Sequence, residues 1–378
     1  MILQSKRIWA VNTWIKAQIT IENGRIERID AYNARTPDMD YENKRIIPGL
    51  IDIHTHGAYG FDTNDAKPDG LRHWTKNVVK EGVTAFCPTT ITQSESVLTN
   101  AVANVAAVAG SGYEGAEILG IHFEGPYLDQ TYKGAQPEEY CVPADVEQFK
   151  RYQAAAKGMI RIITMACEHD TDFALTRYCV QHGVAVSQGH SGASYEQACA
   201  AIANGASGMT HVFNGMAPFH HRQPGLVGAA FRFRNVYSEV IGDARHSTPA
   251  ALYNFFQAKG ADSGILITDS LRVKGLPAGT KALFGGHWIE LYEDGSAHLV
   301  EAGNLAGSTL RMNDGLRILT EEAQVPWQSA INACTINPAR YLHIDGRKGS
   351  IQAGKDADLV VLNDDYSVLC TYVKGQEI

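Results

Sequence analysis

Apolar and polar residues alternate along this chain with two different periods, and the period changes with position. Near the N-terminus, "AQITIENGRIERIDA" reads as two alternating segments around Asn23-Gly24, a dipeptide suited to a tight hairpin turn with positive φ. The closing stretch "GSIQAGKDADLVVLNDDYSVLCTYVKGQEI" has the same strand-and-turn character. From Gly49 to about Arg347, short apolar runs instead alternate with amphipathic helical segments such as "GLRHWTKNVVKEG" and "SYEQACAAIANGA". Eight runs qualify as strands: "GLIDIHTH", "GVTAFCPTT", "EILGIHFEG", "MIRIITMACE", "VAVSQGHS", "GMTHVFNG", "YSEVIGD" and "GILITDS". This rhythm predicts a TIM-like (β/α)8 barrel over residues 49–346. Both β-rich ends, residues 1–48 and 347–378, are expected to combine into one small β-sandwich domain.

Ligand-type residues sit at the C-terminal ends of these runs: His54 and His56 on the first, Glu124 on the third, His190 on the fifth, His211 on the sixth and Asp269 on the eighth. In a barrel those ends converge on one mouth. Strand alternation predicts Asp52, His54 and His56 on one face, with Ile51, Ile53 and Thr55 on the other. It likewise groups Val184, Val186, Gln188 and His190, and Ile265, Ile267 and Asp269. Four histidines and two carboxylates form a ligand set for zinc or iron(II), and the absence of cysteine argues for an open catalytic site. Such a metal lowers the pKa of its water and polarises a carbonyl, and Asp269 is placed to carry the proton. A single strand-end histidine is ordinarily a satisfied polar residue, and only the convergence of six positions outweighs that. His122, on the face of Glu124, is expected to pack beside the ligands.

A second cluster lies in "HVFNGMAPFHHRQPG", where Asn214, the backbone of Gly215 and Arg222 suit a phosphate. The remainder of the composition narrows the partners. A net charge of −8 and no polybasic stretch argue against nucleic acid and against an anionic membrane surface. No apolar run approaches the ~18 residues of a membrane span, and a cytoplasmic location is expected. Seven scattered cysteines read as small buried hydrophobes in a reducing compartment.

The motifs "PGLIDIHTHG", "HFEGPYL", "GHSGASY", "THVFNGM", "HHRQPG", "ILITDS" with "KGLPAG", and "GNLAGSTL" resemble, in their order, the amidohydrolase superfamily and within it the N-acetylglucosamine-6-phosphate deacetylases. The resemblance implies hydrolysis of an acetamido group on an amino-sugar 6-phosphate. It implies Glu124, His190 and His211 as ligands of the principal metal, Asp269 as general base and then acid, and His54 and His56 as a site for a second metal bridged by Glu124. Asn214, Gly215, Arg222 and His246 would receive the phosphate, and a homodimer is implied, with His246 the candidate to reach the neighbouring subunit's substrate. Three positions depart from the pattern: Gln136 where a substrate-contacting histidine is usual, Gln223 in place of an acid, and Ser270 beside Asp269. Gln136 can donate to a sugar but cannot carry a proton. These departures bear on sugar identity, leaving the galactosamine epimer or an unphosphorylated N-acetyl sugar as competitors. A cyclic-amide hydrolase is disfavoured because "RIITMACE" offers no lysine to bridge two metals, and a non-catalytic scaffold because no ligand is lost.

Overall fold

Eight parallel strands follow one another around a ring in the computed structural model, which describes residues 1–378. They are Leu50–Thr55, Val83–Thr90, Ile121–Glu124, Ile160–Met165, Ala185–Gln188, Gly208–Met209, Tyr237–Ile241 and Gly264–Ile267, one in each expected run. A helix follows every strand. Pro68–Val78 starts with proline, whose missing N–H costs nothing there, and buries Leu71, Trp74, Thr75 and Val78 at helical spacing. Tyr195–Ala203 opens with a capping box between Ser194 and Gln197.

The eighth and first strands share no ladder, yet the ring is drawn together there. The backbone N–H of Asp269 donates to the His54 carbonyl (2.9 Å), those of His56 and Gly57 donate to Ser270, and Thr268 Oγ1 donates to Asp52 (2.6 Å). The seam between these strands thus lies at the catalytic candidates themselves.

The core has two shells. Outside, Val83, Phe86, Phe123, Ile163 and Val186 pack against helix residues such as Trp74, Val102 and Leu252. Inside, Ile51, Ile53, Ala85, Cys87, Ile162, Ile265 and Ile267 meet across the ring. This corrects two parity expectations. Ile51 and Ile53 point inward, and an extra residue between Asp52 and Thr55, seen as a register shift against the second strand, turns His54 and His56 inward after them. A bulge beside a site commonly re-aims side chains in this way. On the fifth strand Val184 and Val186 belong to the outer shell and Gln188 reaches the helix carbonyl of Ala198, while Ser187 faces inward to Thr210. Only on the eighth strand does plain alternation hold from Ile265 and Ile267.

Both termini contribute to a mixed eight-stranded sheet. Its hairpin joins Thr13–Glu22 to Arg25–Ala31 through Asn23 and Gly24, both at positive φ (49° and 77°), as the dipeptide predicts. The sheet wraps a core of Leu3, Ile8, Ile19, Ile46, Leu359 and Tyr372, and Ala357 bonds back to Gly24 so that its two ends approach each other.

A third sheet was not anticipated. Lys281–Phe284, His287–Leu291 and Ala297–Leu299 form an antiparallel unit after the eighth strand, and Phe284 packs edge-on against His56 with ring centroids 5.1 Å apart. It therefore covers part of the mouth. All seven cysteines are free, five of them buried, as small hydrophobes are expected to be. No helix is long and apolar enough to cross a membrane.

Candidate metal centre and active site

Glu124 lies at the middle of the mouth, and four imidazoles surround it. Its Oε1 is 3.2 Å from His190 Nε2, 3.3 Å from His211 Nε2 and 3.4 Å from His54 Nε2, and its Oε2 is 3.3 Å from His56 Nε2. Asp269 Oδ1 approaches His56 Nε2 at 3.2 Å and His54 Nε2 at 3.5 Å. Two triads of ligand atoms result, Glu124–His190–His211 and His54–His56–Asp269. The six residues expected at the strand ends thus come together.

Three of the four rings are oriented from behind. His190 Nδ1 donates to the Tyr132 carbonyl (2.9 Å), His211 Nδ1 to the Asn214 carbonyl (3.1 Å) and His54 Nδ1 to the Glu239 carboxylate (2.9 Å). Each bond fixes the tautomer and leaves Nε2 lone pairs facing the centre. His190, His211 and Asp269 all have positive φ (48°, 27° and 50°). This backbone costs about 1–3 kcal/mol per residue and is held only where the surroundings impose it. It also explains how His190 enters the mouth from a strand whose preceding residues face outward. Gly215 (φ +58°) closes behind His190, since a Cβ there would stand 2.8 Å from Nδ1.

The donor set fits a divalent cation. His190 Nε2 and His211 Nε2 face each other at 3.1 Å, and His54 Nε2 is buried without a hydrogen-bond partner. Burial disfavours charge on Glu124, but His54 and His190 outweigh it and hold its carboxyl well below the usual range. Burial likewise opposes a proton on His54, yet Glu124, Glu239 and Asp269 together raise its pKa well above the usual value. Three buried carboxylates converging on one ring call for positive charge, which a metal ion supplies. His122 is not free to serve: its Nε2 meets Thr164 Oγ1 at 2.7 Å, and burial lowers its pKa well below the ordinary value.

Above the centre is a cavity of about 320 Å³. Asn214, Gly215, His246 and Gln136 line it. Gln136 is turned toward the metal centre, donating to Glu124 Oε2 (2.6 Å) and accepting from the Thr92 N–H (2.8 Å), so it steadies the ligand instead of reaching freely toward a sugar. His246 lines the cavity of its own chain. Burial works against its charge, but Asp243, 2.7 Å from Nδ1, prevails and raises its pKa. Arg222 is exposed and does not line this cavity, so within one chain it is not a substrate contact. Sequence reasoning missed Glu239, although an acid inside the apolar run "YSEVIGD" was a signal. It also missed Arg245, Asn304 and Phe284.

A centre of histidines and carboxylates at the C-terminal mouth of a (β/α)8 barrel, with an open cavity above it, defines a metal-dependent hydrolase. Residues 45–378 match the Amidohydrolase family. The chain belongs to that family. It is 43% identical over 364 residues to an N-acetylglucosamine-6-phosphate deacetylase of Bacillus subtilis, covering 94% of this chain and 91% of the relative. It is 32% identical to an N-acetylgalactosamine-6-phosphate deacetylase of Escherichia coli O157:H7, covering 99% and 98%. Among solved structures, a mutant N-acetyl-D-glucosamine-6-phosphate deacetylase of Mycobacterium smegmatis in complex with N-acetyl-D-glucosamine-6-phosphate superposes with a TM-score of 0.94 at 28% identity, over 100% of this chain and 98% of that one.

Proposed function

We propose that this chain hydrolyses the acetamide of N-acetylglucosamine 6-phosphate to acetate and glucosamine 6-phosphate, within a barrel catalytic unit of residues 49–346. The observation that carries the reading is the Glu124–His190–His211 triad with Asp269 beside it, at the base of a cavity bordered by Asn214, Gly215 and His246. The 43% identical relative supports the gluco epimer over the galacto one. When bound, a divalent metal, zinc or iron(II), acidifies a water and polarises the acetamide carbonyl. The triad holds the principal ion, and His54 and His56 contribute to a second. Asp269 takes the proton of the attacking water and passes it to the leaving nitrogen, so one carboxylate serves as base and then acid. Asn214, the Gly215 backbone and His246, charged through Asp243, receive the phosphate.

A homodimer is part of this reading: Arg222, exposed on the loop after the sixth strand, is free to meet a neighbouring subunit. The free thiols support a cytoplasmic, reducing location. The test is steady-state deacetylation of N-acetylglucosamine 6-phosphate, its galacto epimer and unphosphorylated N-acetylglucosamine, with the gluco phosphate expected to give the highest kcat/KM.

Glu239 gives an independent expectation. Glu239→Ala removes the acceptor that orients His54, and loss of such a partner typically weakens metal affinity about 10–100-fold. Metal content by mass spectrometry is expected to fall from two ions per subunit toward one, with the triad ion retained. Two tightly held ions in the variant would refute this role.

A further inference from the structure

The fourth strand, Ile160–Met165, gives the metal centre no ligand, yet the turn after it, Cys167–His169, reaches the backbone beside one. Both carboxylate oxygens of Glu168 accept from Ser191 Oγ at 2.8 Å, and Oε1 also accepts from the Gly192 N–H at 2.8 Å. Ser191 and Gly192 directly follow His190. Ser191 is buried, and its Oγ accepts in turn from the Ala193 N–H (3.1 Å), so three successive residues after the ligand are tied to one carboxylate. On the other side, the Asp129 N–H donates to the His190 carbonyl (2.9 Å) and the Ser191 N–H donates to the Gly215 carbonyl (3.0 Å). Asp129 Oδ1 accepts from the N–H groups of Thr131 (2.8 Å) and Tyr132 (3.1 Å), while Oδ2 meets His169 Nε2 at 2.7 Å. Asp129, Glu168 and His169 lie close enough together to resemble a third ligand cluster. Their polar atoms are engaged instead in these bonds, which converge on His190.

We propose that Glu168 is a positioning residue for the metal ligand His190. The proposal rests on the metal-dependent reading above. His190 has a backbone φ of +48°, a conformation that costs about 1–3 kcal/mol for a non-glycine residue and persists only where the surroundings impose it. The backbone bonds to Asp129 and Gly215 are neutral. Glu168 adds charge-assisted bonds, roughly twice as strong as neutral ones, to the segment just past the strained residue. Without them, Ser191 and Gly192 are free to relax toward ordinary backbone, and the imidazole turns away from Glu124 and His211. Glu168 thus supports the principal ion from outside the ligand set, and the fourth strand contributes to the centre through the fifth.

Zinc dissociation constants, read by competition with a chromophoric chelator, and the Tm of the metal-free protein test this. Glu168→Ala is expected to weaken zinc binding by ~10–100-fold, the usual cost of losing a group that orients a ligand. Glu168→Gln keeps an acceptor for Ser191 and is expected to bind zinc more tightly than Glu168→Ala. Ser191→Ala should also weaken zinc binding, and the double variant Glu168→Ala/Ser191→Ala no more than Glu168→Ala alone, because both changes break one contact. Wild-type zinc affinity in Glu168→Ala, even with a lowered metal-free Tm, would leave Glu168 a purely structural residue and overturn the proposal. Equal affinities of the Ala and Gln variants would overturn it in favour of a bare charge effect, and additive losses in the double variant would remove the Ser191 link. If Glu168→Ala does not fold, Ser191→Ala and Glu168→Gln decide, and wild-type zinc affinity in both refutes the role. Failure of the wild type to bind zinc would sink the metal-centre reading, whereas tight zinc in both the wild type and Glu168→Ala would sink only this inference.

Discussion

Asp269→Asn is expected to lower kcat by about 10²–10⁴-fold, the usual contribution of general acid–base catalysis, while metal stays bound. The side chain lies in the mouth with Oδ1 at 3.2 Å from His56 Nε2 and 3.5 Å from His54 Nε2, held there by a backbone φ of +50°. Burial pushes its carboxyl up, but His54 and His56 outweigh that and lower it, so the group stands as an ionised carboxylate. Asparagine keeps the shape and loses the base. Because the Glu124–His190–His211 triad does not include Asp269, at least one ion per subunit is expected to remain. Stopped or burst-free kinetics with metal analysis on the same sample checks both halves. Activity within tenfold of wild type would remove Asp269 from proton transfer.

Glu124→Gln is expected to have the other large effect, through the metal itself. One carboxylate faces all four imidazoles, at 3.2–3.4 Å. The amide removes the negative charge and turns an NH2 group toward ring nitrogens whose other sides are already anchored by Tyr132, Asn214 and Glu239. Bound metal is expected to fall well below one ion per subunit. Turnover should drop by about 10³-fold or more, the several kcal/mol that a Lewis acid supplies. A chelator should do the same to the wild type and lower its Tm, since an ion that binds only the folded chain stabilises it. Re-addition of zinc or iron(II) should restore both in the wild type and neither in the variant.

The barrel was legible because its strands are short apolar runs and its helices carry one apolar face, a pattern that survives without any knowledge of contacts. The cluster at the mouth was legible for the same reason: His54, His56, Glu124, His190, His211 and Asp269 all stand where such runs end. What periodicity could not supply was how each side chain is aimed. The bulge between Asp52 and Thr55 and the left-handed backbone of His190 both break strict alternation, and neither leaves a compositional mark, since no glycine stands at those residues. The covering sheet was missed although Gly285-Gly286 and Asp294-Gly295 mark its turns, because its strands carry exposed Leu283 and Trp288 and so lack a clean buried face. Glu239 and Arg245 pair with residues distant in sequence, His54 and Asp294, and only the fold brings those pairs together.

The most direct measurement is kcat/KM of the metal-loaded wild type on N-acetylglucosamine 6-phosphate, N-acetylgalactosamine 6-phosphate and N-acetylglucosamine, with acetate release as the readout. The account predicts the highest value for the gluco phosphate, a lower one for its epimer, and the lowest for the uncharged sugar. A protein that binds metal at Glu124, His190 and His211 yet releases acetate from none of the three would contradict it.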